Sequence, residues 1–155
     1  MKKLLVLFAA MMIITNAFIF FNSFQSSEES NSNSQKVQEV VEPVVQAVVG
    51  KEAKVNMSSF VRKSAHIVEF ALLGAFCAAF VAIFKSLYKK NVLGYFLFYV
   101  LFSAVIDEYI QSFNDRTSQV EDVLIDFSGA LMGILVILLI VKVYGALKKK
   151  RTACR

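Results

Sequence analysis

Ionisable side chains recur at helical spacing in an otherwise apolar segment near the middle of the chain. Arg62, His66 and Glu69 are separated by four and three residues, and Lys63 adjoins the first of them. Residues at these separations share one face of a helix, so we expect their side chains to converge. Clustered cations can bind phosphate or carboxylate, and a histidine beside carboxylates can act as a general base.

Two further polar groups follow the same pattern in later apolar segments. Asp107 and Glu108 lie four and three residues before Gln111, and Asp122 lies four residues before Asp126. A carboxylate inside a membrane span costs about 2.5–3.5 kcal/mol on insertion scales, so such residues are usually functional or paired. We predict one ligand-binding set: Arg62, Lys63, His66, Glu69, Asp107, Glu108, Gln111, Arg116, Asp122 and Asp126.

The chemistry of this set stays open at the level of sequence. One interpretation is a binding site for an anionic group, and another is an ion-pair network that locks helices together. A third is a membrane-embedded hydrolase or transferase with His66 as its general base and Glu69 or Asp122 fixing the tautomer. No nucleophile motif or phosphate loop accompanies it, so no catalytic residue is assigned and a non-enzymatic role is favoured. His66 is the single histidine, so no metal site and no cofactor are predicted, although His66 with carboxylates could hold a divalent ion.

The elements that position these residues are long apolar runs. The chain has 155 residues, is 57% hydrophobic and contains one proline. A run of about 18 or more apolar residues is long enough to cross a membrane as a helix. We therefore predict an all-α integral membrane bundle of four transmembrane helices, with spans near residues 4–21, 66–84, 92–106 and 123–141.

The distribution of charge predicts the orientation of the bundle. With the N-terminus inside, none of the 12 acidic residues falls in the inner segments, and 11 of the 17 basic residues do. The positive-inside rule then places both chain ends in the cytoplasm and the polar set outside. This distribution accounts for the net charge of +5, and no nucleic-acid partner is expected. The 11 residues are Lys2, Lys3, Lys85, Lys89, Lys90, Lys142, Lys148, Lys149, Lys150, Arg151 and Arg155.

Composition divides the chain into four parts. Residues 1–21 form an N-terminal transmembrane anchor, expected to stay uncleaved, and residues 22–57 an extracytoplasmic linker. Within the linker, valines at three- and four-residue spacing between residues 37 and 49 predict an amphipathic helix on the outer side. Residues 58–141 form a three-helix transmembrane core, and residues 142–155 a basic cytoplasmic tail.

Two packing expectations follow from residue placement. Gly129 and Gly133 form a small-xxx-small pair on the face that carries Asp126, which directs that face into the bundle and also suits an oligomer contact. Arg62 and Lys63 near a helix N-terminus, and Asp107 and Glu108 near a helix C-terminus, each oppose the helix dipole. We therefore expect one of these cations to pair with one of these carboxylates.

The polar motifs resemble those of the VanZ-like family. The similar segments are residues 62–70 (RKSAHIVEF), residues 107–111 (DEYIQ), Arg116, residues 122–126 (DVLID) and Gly129. They cover about residues 60–140, in the family's order and on three successive spans. The chain departs from the family pattern in having Asn114-Asp115 where a Pro-Gly pair is common, and Asp126 where Asn is common.

The resemblance implies a multi-pass protein of the bacterial plasma membrane. The family is named for a member linked to resistance to the glycopeptide teicoplanin, so an envelope component or a glycopeptide is the expected ligand, with membrane lipid as the surrounding partner. The resemblance assigns no biochemical activity.

Overall fold

The computed structural model describes residues 1–25, 57–113 and 119–153, and these residues form four α-helices. The helices are α1 (Lys2–Ser23), α2 (Met57–Tyr88), α3 (Leu93–Ser112) and α4 (Val120–Ala153). All four are long and apolar enough to cross a membrane. The predicted all-α bundle of four transmembrane helices is therefore confirmed. The amphipathic helix expected within residues 22–57 lies outside the described residues and stays a prediction, as does the orientation.

The fourth helix extends well past the apolar run that predicted it. It has 34 residues, which at 1.5 Å per residue exceeds the ~30 Å hydrocarbon thickness. Its last turns contain Lys148, Lys149, Lys150 and Arg151, which are exposed. Lysine and arginine are good helix formers and favour the negative C-terminal end of the dipole. Residues 142–153, expected as a basic tail, thus continue the transmembrane helix.

A short turn joins α2 to α3 at the end of the bundle that carries these lysines. Lys89 adopts a positive φ of 60°, and its N–H donates to the Lys85 carbonyl at 3.0 Å. The Asn91 side chain then accepts a hydrogen bond from the Leu93 N–H at 3.2 Å. This bond satisfies one of the N–H groups that the first turn of α3 leaves without a helical partner.

All four helices contribute to one apolar core. Its buried members are Met12 and Ile19 from α1, Phe70, Leu73 and Cys77 from α2, Val100 and Ala104 from α3, and Ala130 from α4. The side chain of Cys77 is fully buried, as expected of a small apolar residue. The outer surface is also apolar: Phe98 of α3 and Leu135 of α4, for example, are 68% and 59% exposed. Such an apolar outer surface is suited to contact with the lipid of a membrane.

Close backbone approach holds α2 against α4. A Cβ on Gly129 would lie 2.6 Å from the carbonyl oxygen of Ile67, and one on Gly133 would overlap the carbonyl of Ala71. Gly74 faces Ala130 in the same way from the other helix. The face that carries Asp126 therefore points into the bundle, as predicted. Because α2 of the same chain occupies this face, the expectation that Gly129 and Gly133 form an oligomer contact is corrected.

We predict that cysteine labelling will find each loop on the side of the membrane that the charge count indicates. In a background without Cys77 and Cys154, a cysteine at Ser30 or at Ser118 should react with an impermeant thiol reagent added to intact cells. A cysteine at Ser86 should not react until the cells are permeabilised, since it lies among inner-side lysines. Labelling of Ser86 alone in intact cells would reverse the orientation.

Candidate functional site

Nine of the ten sequence-predicted polar residues lie in the described part of the chain, and these nine gather at one end of the bundle, where α1 and α3 end and α2 and α4 begin. We call this the polar end. Four of the residues are almost fully buried: Asp107, Glu108, Gln111 and Asp126, at 0%, 4%, 7% and 2% exposure. Polar groups with so little access to water require hydrogen bonds or ionic partners within the protein.

Asp107 lies at the centre of the polar end. Its Oδ2 accepts a hydrogen bond from Gln111 Nε2 at 2.7 Å, one helical turn along α3. Its Oδ1 accepts a hydrogen bond from the Ser23 hydroxyl in the last turn of α1. The carboxylate is therefore held from two sides, and its orientation is fixed by donors on two helices.

His66 of α2 points toward carboxylates from two other helices. Its Nδ1 lies 3.5 Å from Asp107 Oδ2 of α3 and 3.7 Å from Asp126 Oδ1 of α4. The imidazole is 15% exposed. The sequence suggests Glu69 or Asp122 as the carboxylate that orients the imidazole. The carboxylates beside Nδ1 are instead those of Asp107 and Asp126.

The last turn of α1 supplies two residues that sequence reasoning missed. Asn22 Nδ2 donates to Glu69 Oε1 at 2.9 Å, and Ser23 donates to Asp107. By composition, both residues belong to the start of the predicted linker. A signal was present, because Met12, Ile19 and Ser23 are spaced by seven and four residues and all three are buried. That spacing places Ser23 on the stripe of α1 that faces the bundle.

Glu108 connects the end of α3 to the start of α4. Its Oε1 accepts a hydrogen bond from the Gln119 backbone N–H at 2.7 Å, directly before α4 begins at Val120. A carboxylate is disfavoured at a helix C-terminus and favoured at an N-terminus. The position of Glu108 beside the α4 N-terminus therefore offsets its unfavourable place near the end of α3.

Lys63 pairs with α4 rather than with α3. Its Nζ lies 2.7 Å from Asp122 Oδ1, and the two side chains are 38% and 22% exposed. We expected Arg62 or Lys63 to pair with Asp107 or Glu108. The ion pair of Lys63 instead involves a carboxylate in the first turn of α4, where the helix dipole favours negative charge.

A narrow cleft opens among these side chains. Its volume is about 10 Å³, which is room for about one water-sized group. No ion pair joins Arg62, which lines this cleft, to an acidic side chain of the described residues. Glu69 lies apart from the cleft, against α1, and Arg116 lies outside the described residues. The lining residues are Arg62, Lys63, His66, Glu108, Gln111, Asp122, Ile125 and Asp126.

Comparison with known families adds one match to this geometry. The family model described as VanZ/LLP1 matches residues 5–141, from α1 through most of α4. The chain belongs to the VanZ/LLP1 family. No curated protein and no solved structure matches it.

The match is wider than the motifs that suggested the family. Those motifs cover about residues 60–140, whereas the VanZ/LLP1 match begins at residue 5 and includes α1. The structure gives a physical reason, because α1 contributes Met12 and Ile19 to the common core and Ser23 to the polar end. This VanZ/LLP1 chain is a multi-pass membrane protein with a polar cleft at one end of its bundle.

We predict that the Lys63–Asp122 pair of this VanZ/LLP1 chain will survive charge reversal in part. Lys63→Asp alone should lower stability, because it places two negative groups side by side. Adding Asp122→Lys should restore part of this loss. We expect the restored part to be about 0.2–1 kcal/mol for a pair this exposed. The dipole of α4 disfavours a cation in its first turn, so recovery should be incomplete. Melting temperatures in detergent test this, and a double variant no more stable than Lys63→Asp would contradict direct pairing.

Proposed function

We propose that this VanZ/LLP1 protein binds an anionic group of a cell-envelope component or of a glycopeptide at the polar end of its bundle. The charge count supports an extracytoplasmic position for that end in a bacterial plasma membrane. A role in teicoplanin-type resistance is the form of this proposal that the family resemblance suggests.

The observation that carries the proposal is the position of Arg62. Arg62 lines the cleft, is only partly exposed, and forms no ion pair with the described acidic residues. A guanidinium is always charged and offers a planar fork of donors that matches carboxylate and phosphate. An incoming anion would therefore meet a cation that is available to bind it.

The size of the cleft limits what can enter. With a volume of about 10 Å³, it has room for about one water-sized group and excludes a whole glycopeptide. We infer that one oxygen of a terminal phosphate or carboxylate enters the cleft to reach Arg62 while the rest of the ligand stays outside. Gln111 at the cleft can donate a hydrogen bond to the bound anion, whereas Glu108 and Asp122 can only accept one, from a hydroxyl of the same ligand.

Co-purification tests this proposal. The full chain, isolated with native lipids, should carry a phosphate-bearing envelope lipid in native mass spectrometry, or should bind added teicoplanin; the two arms separate the sources of the anion. Arg62→Gln should reduce occupancy at least about tenfold, because a charge-assisted hydrogen bond contributes about 1.5–3 kcal/mol. The occupancy of Arg62→Lys should lie between those of the wild type and Arg62→Gln, since an ammonium is charged but lacks the bidentate fork.

The control for this experiment is Arg151→Gln, the same substitution at the exposed far end of α4. It should bind as the wild type does. Equal occupancy in Arg62→Gln and the wild type, or no bound anion in either arm, would contradict the proposal.

One observation supports a second function, that of a membrane-embedded hydrolase or transferase for a lipid-linked envelope substrate. His66 lines the cleft and its Nδ1 faces Asp107 and Asp126, an arrangement that suits a general base oriented by a carboxylate. Among the described residues, those that line the cleft include no Ser, Thr or Cys, and this function therefore takes water or a substrate hydroxyl as its nucleophile. Release of product from a polyprenyl phosphate or diphosphate by the wild type, and not by His66→Gln, would favour this function over binding alone.

A further inference from the structure

Three side chains from three helices bring potential metal ligands together at the polar end. His66 of α2, Asp107 of α3 and Asp126 of α4 each offer one ligand atom, and these atoms all lie within 4.8 Å of one another. The two aspartates are 0% and 2% exposed. The sequence alone predicts no metal site, because it contains a single histidine and the spacing of His66 to Glu69 is common by chance.

Two of the three separations are close to those of ligands around a single ion. Ligand atoms bound at about 2.0–2.2 Å to one metal lie about 3–3.5 Å apart. His66 Nδ1 lies 3.5 Å from Asp107 Oδ2 and 3.7 Å from Asp126 Oδ1. The two carboxylate oxygens lie within 4.8 Å of each other, so an ion bound between them would draw the carboxylates together.

The surroundings of these residues meet two further requirements of a metal site. Gln111 and Ser23 donate hydrogen bonds to Asp107 and fix its carboxylate in place. Outer partners of metal ligands act in this way. His66 and Asp126 also line the cleft, whose volume of about 10 Å³ has room for an ion or a water. The cleft supplies an entry path and leaves coordination positions open to a ligand.

We propose that His66, Asp107 and Asp126 bind one divalent transition-metal ion of the zinc or manganese type. One imidazole and two carboxylates suit these ions better than calcium or magnesium, which prefer oxygen ligands alone. A divalent cation neutralises two buried carboxylates, which are otherwise costly to hold side by side. It also removes negative charge from the cleft that Arg62 lines, so this inference deepens the proposed anion site while its test requires no anion.

Manganese binding to the purified full chain tests the proposal. The protein is produced with an affinity tag that contains no histidine, is stripped with a chelator, and is titrated with Mn²⁺ alone while EPR counts free ion. We expect one ion per chain. Because His66 is the only histidine, pulsed EPR should detect coupling to one imidazole nitrogen, and Zn²⁺ should displace the signal.

Variants assign the ligands. His66→Gln should remove the nitrogen coupling, and Asp126→Asn should weaken Mn²⁺ binding at least tenfold. Gln111→Ala, which removes a donor to Asp107, should weaken it about 10–100-fold. Glu121→Gln is the matched control, since it removes an exposed carboxylate from the same helix as Asp126, and it should bind as the wild type does.

The outcomes separate this proposal from the anion site. No bound Mn²⁺ in the wild type, bound Mn²⁺ without nitrogen coupling, or equal affinity in wild type and Asp126→Asn would each overturn the metal site. The wild-type nitrogen signal does not depend on any variant folding. Arg62→Gln should leave Mn²⁺ binding within a few-fold of the wild type, so failure of the anion proposal would not change this result.

Discussion

Gly133→Leu is expected to prevent the bundle from assembling. A Cβ at Gly133 would already overlap the carbonyl of Ala71 in α2 and approach the Ala75 nitrogen at 3.0 Å. Both contacts are backbone atoms of a transmembrane helix, so a rotamer change cannot relieve them. Even Gly133→Ala forces α2 and α4 apart, at a cost of about 1–3 kcal/mol for overpacking, and the leucine adds three more carbons to the same space.

Gly145→Leu provides the matched control on the same helix. A Cβ at Gly145 meets nothing within 4 Å, and replacing a helical glycine with leucine gains roughly 0.5–1 kcal/mol in helix propensity. This variant should be as stable as the wild type or more so. Melting temperature and monodispersity in detergent report both variants. If Gly133→Leu were as stable as Gly145→Leu, the close approach of α2 and α4 would be contradicted.

Asp107→Ala is expected to produce the largest loss among substitutions at the polar end. The substitution removes the acceptor of the hydrogen bonds from Gln111 and Ser23. A buried donor left without its acceptor costs about 1–3 kcal/mol. The side chain of Asp107 is fully buried, so water cannot easily take its place.

Asp107→Asn separates the loss of charge from the loss of hydrogen bonds. An amide keeps the shape of the side chain and one acceptor oxygen, so we expect it to retain more stability than alanine does. Glu121→Ala, an exposed change in the first turn of α4, should have little effect. Thermal unfolding in detergent compares the three. Equal stability of Asp107→Ala and the wild type would show that the contacts of Asp107 with α1 do not hold the bundle.

The fold was predictable because a membrane leaves a chain few choices. Long apolar runs must become helices, since backbone groups have no other partners in lipid. The helical spacing of His66 and Glu69, and of Asp122 and Asp126, then placed the polar side chains on inward faces. The pair Gly129 and Gly133 identified the face of α4 that packs, but the sequence did not reveal that α2 of the same chain covers it.

The sequence predicts which residues gather at the polar end better than it predicts which of them pair with each other. The unfavourable positions of these charges relative to the helix dipoles correctly indicated that the charged groups have partners. More than one choice of partners relieves the conflict. Glu108 meets the N-terminus of α4 at Gln119, and Lys63 meets Asp122, so both conflicts are relieved through α4. Choosing this solution requires the relative rotation of the helices, which spacing along one helix does not encode.

The contribution of α1 was missed because it carries no charge at the polar end. Asn22 and Ser23 are common linker residues, and they precede a Ser- and Asn-rich segment. Only the buried stripe through Met12 and Ile19 indicates that the helix continues to Ser23. Small polar residues at the end of such a stripe are therefore candidates for contacts with buried carboxylates on neighbouring helices.

The central claim is that the polar end binds a ligand and is more than an ion-pair network that locks the helices. The most direct test measures melting temperature and retained anionic ligand on the same preparations of the wild type and Asp126→Asn. A neutral amide keeps the shape and much of the hydrogen bonding of this side chain, which lines the cleft and lies beside His66. We predict a clear fall in retained ligand with little change in melting temperature. A large fall in melting temperature with unchanged retention of ligand would contradict the claim.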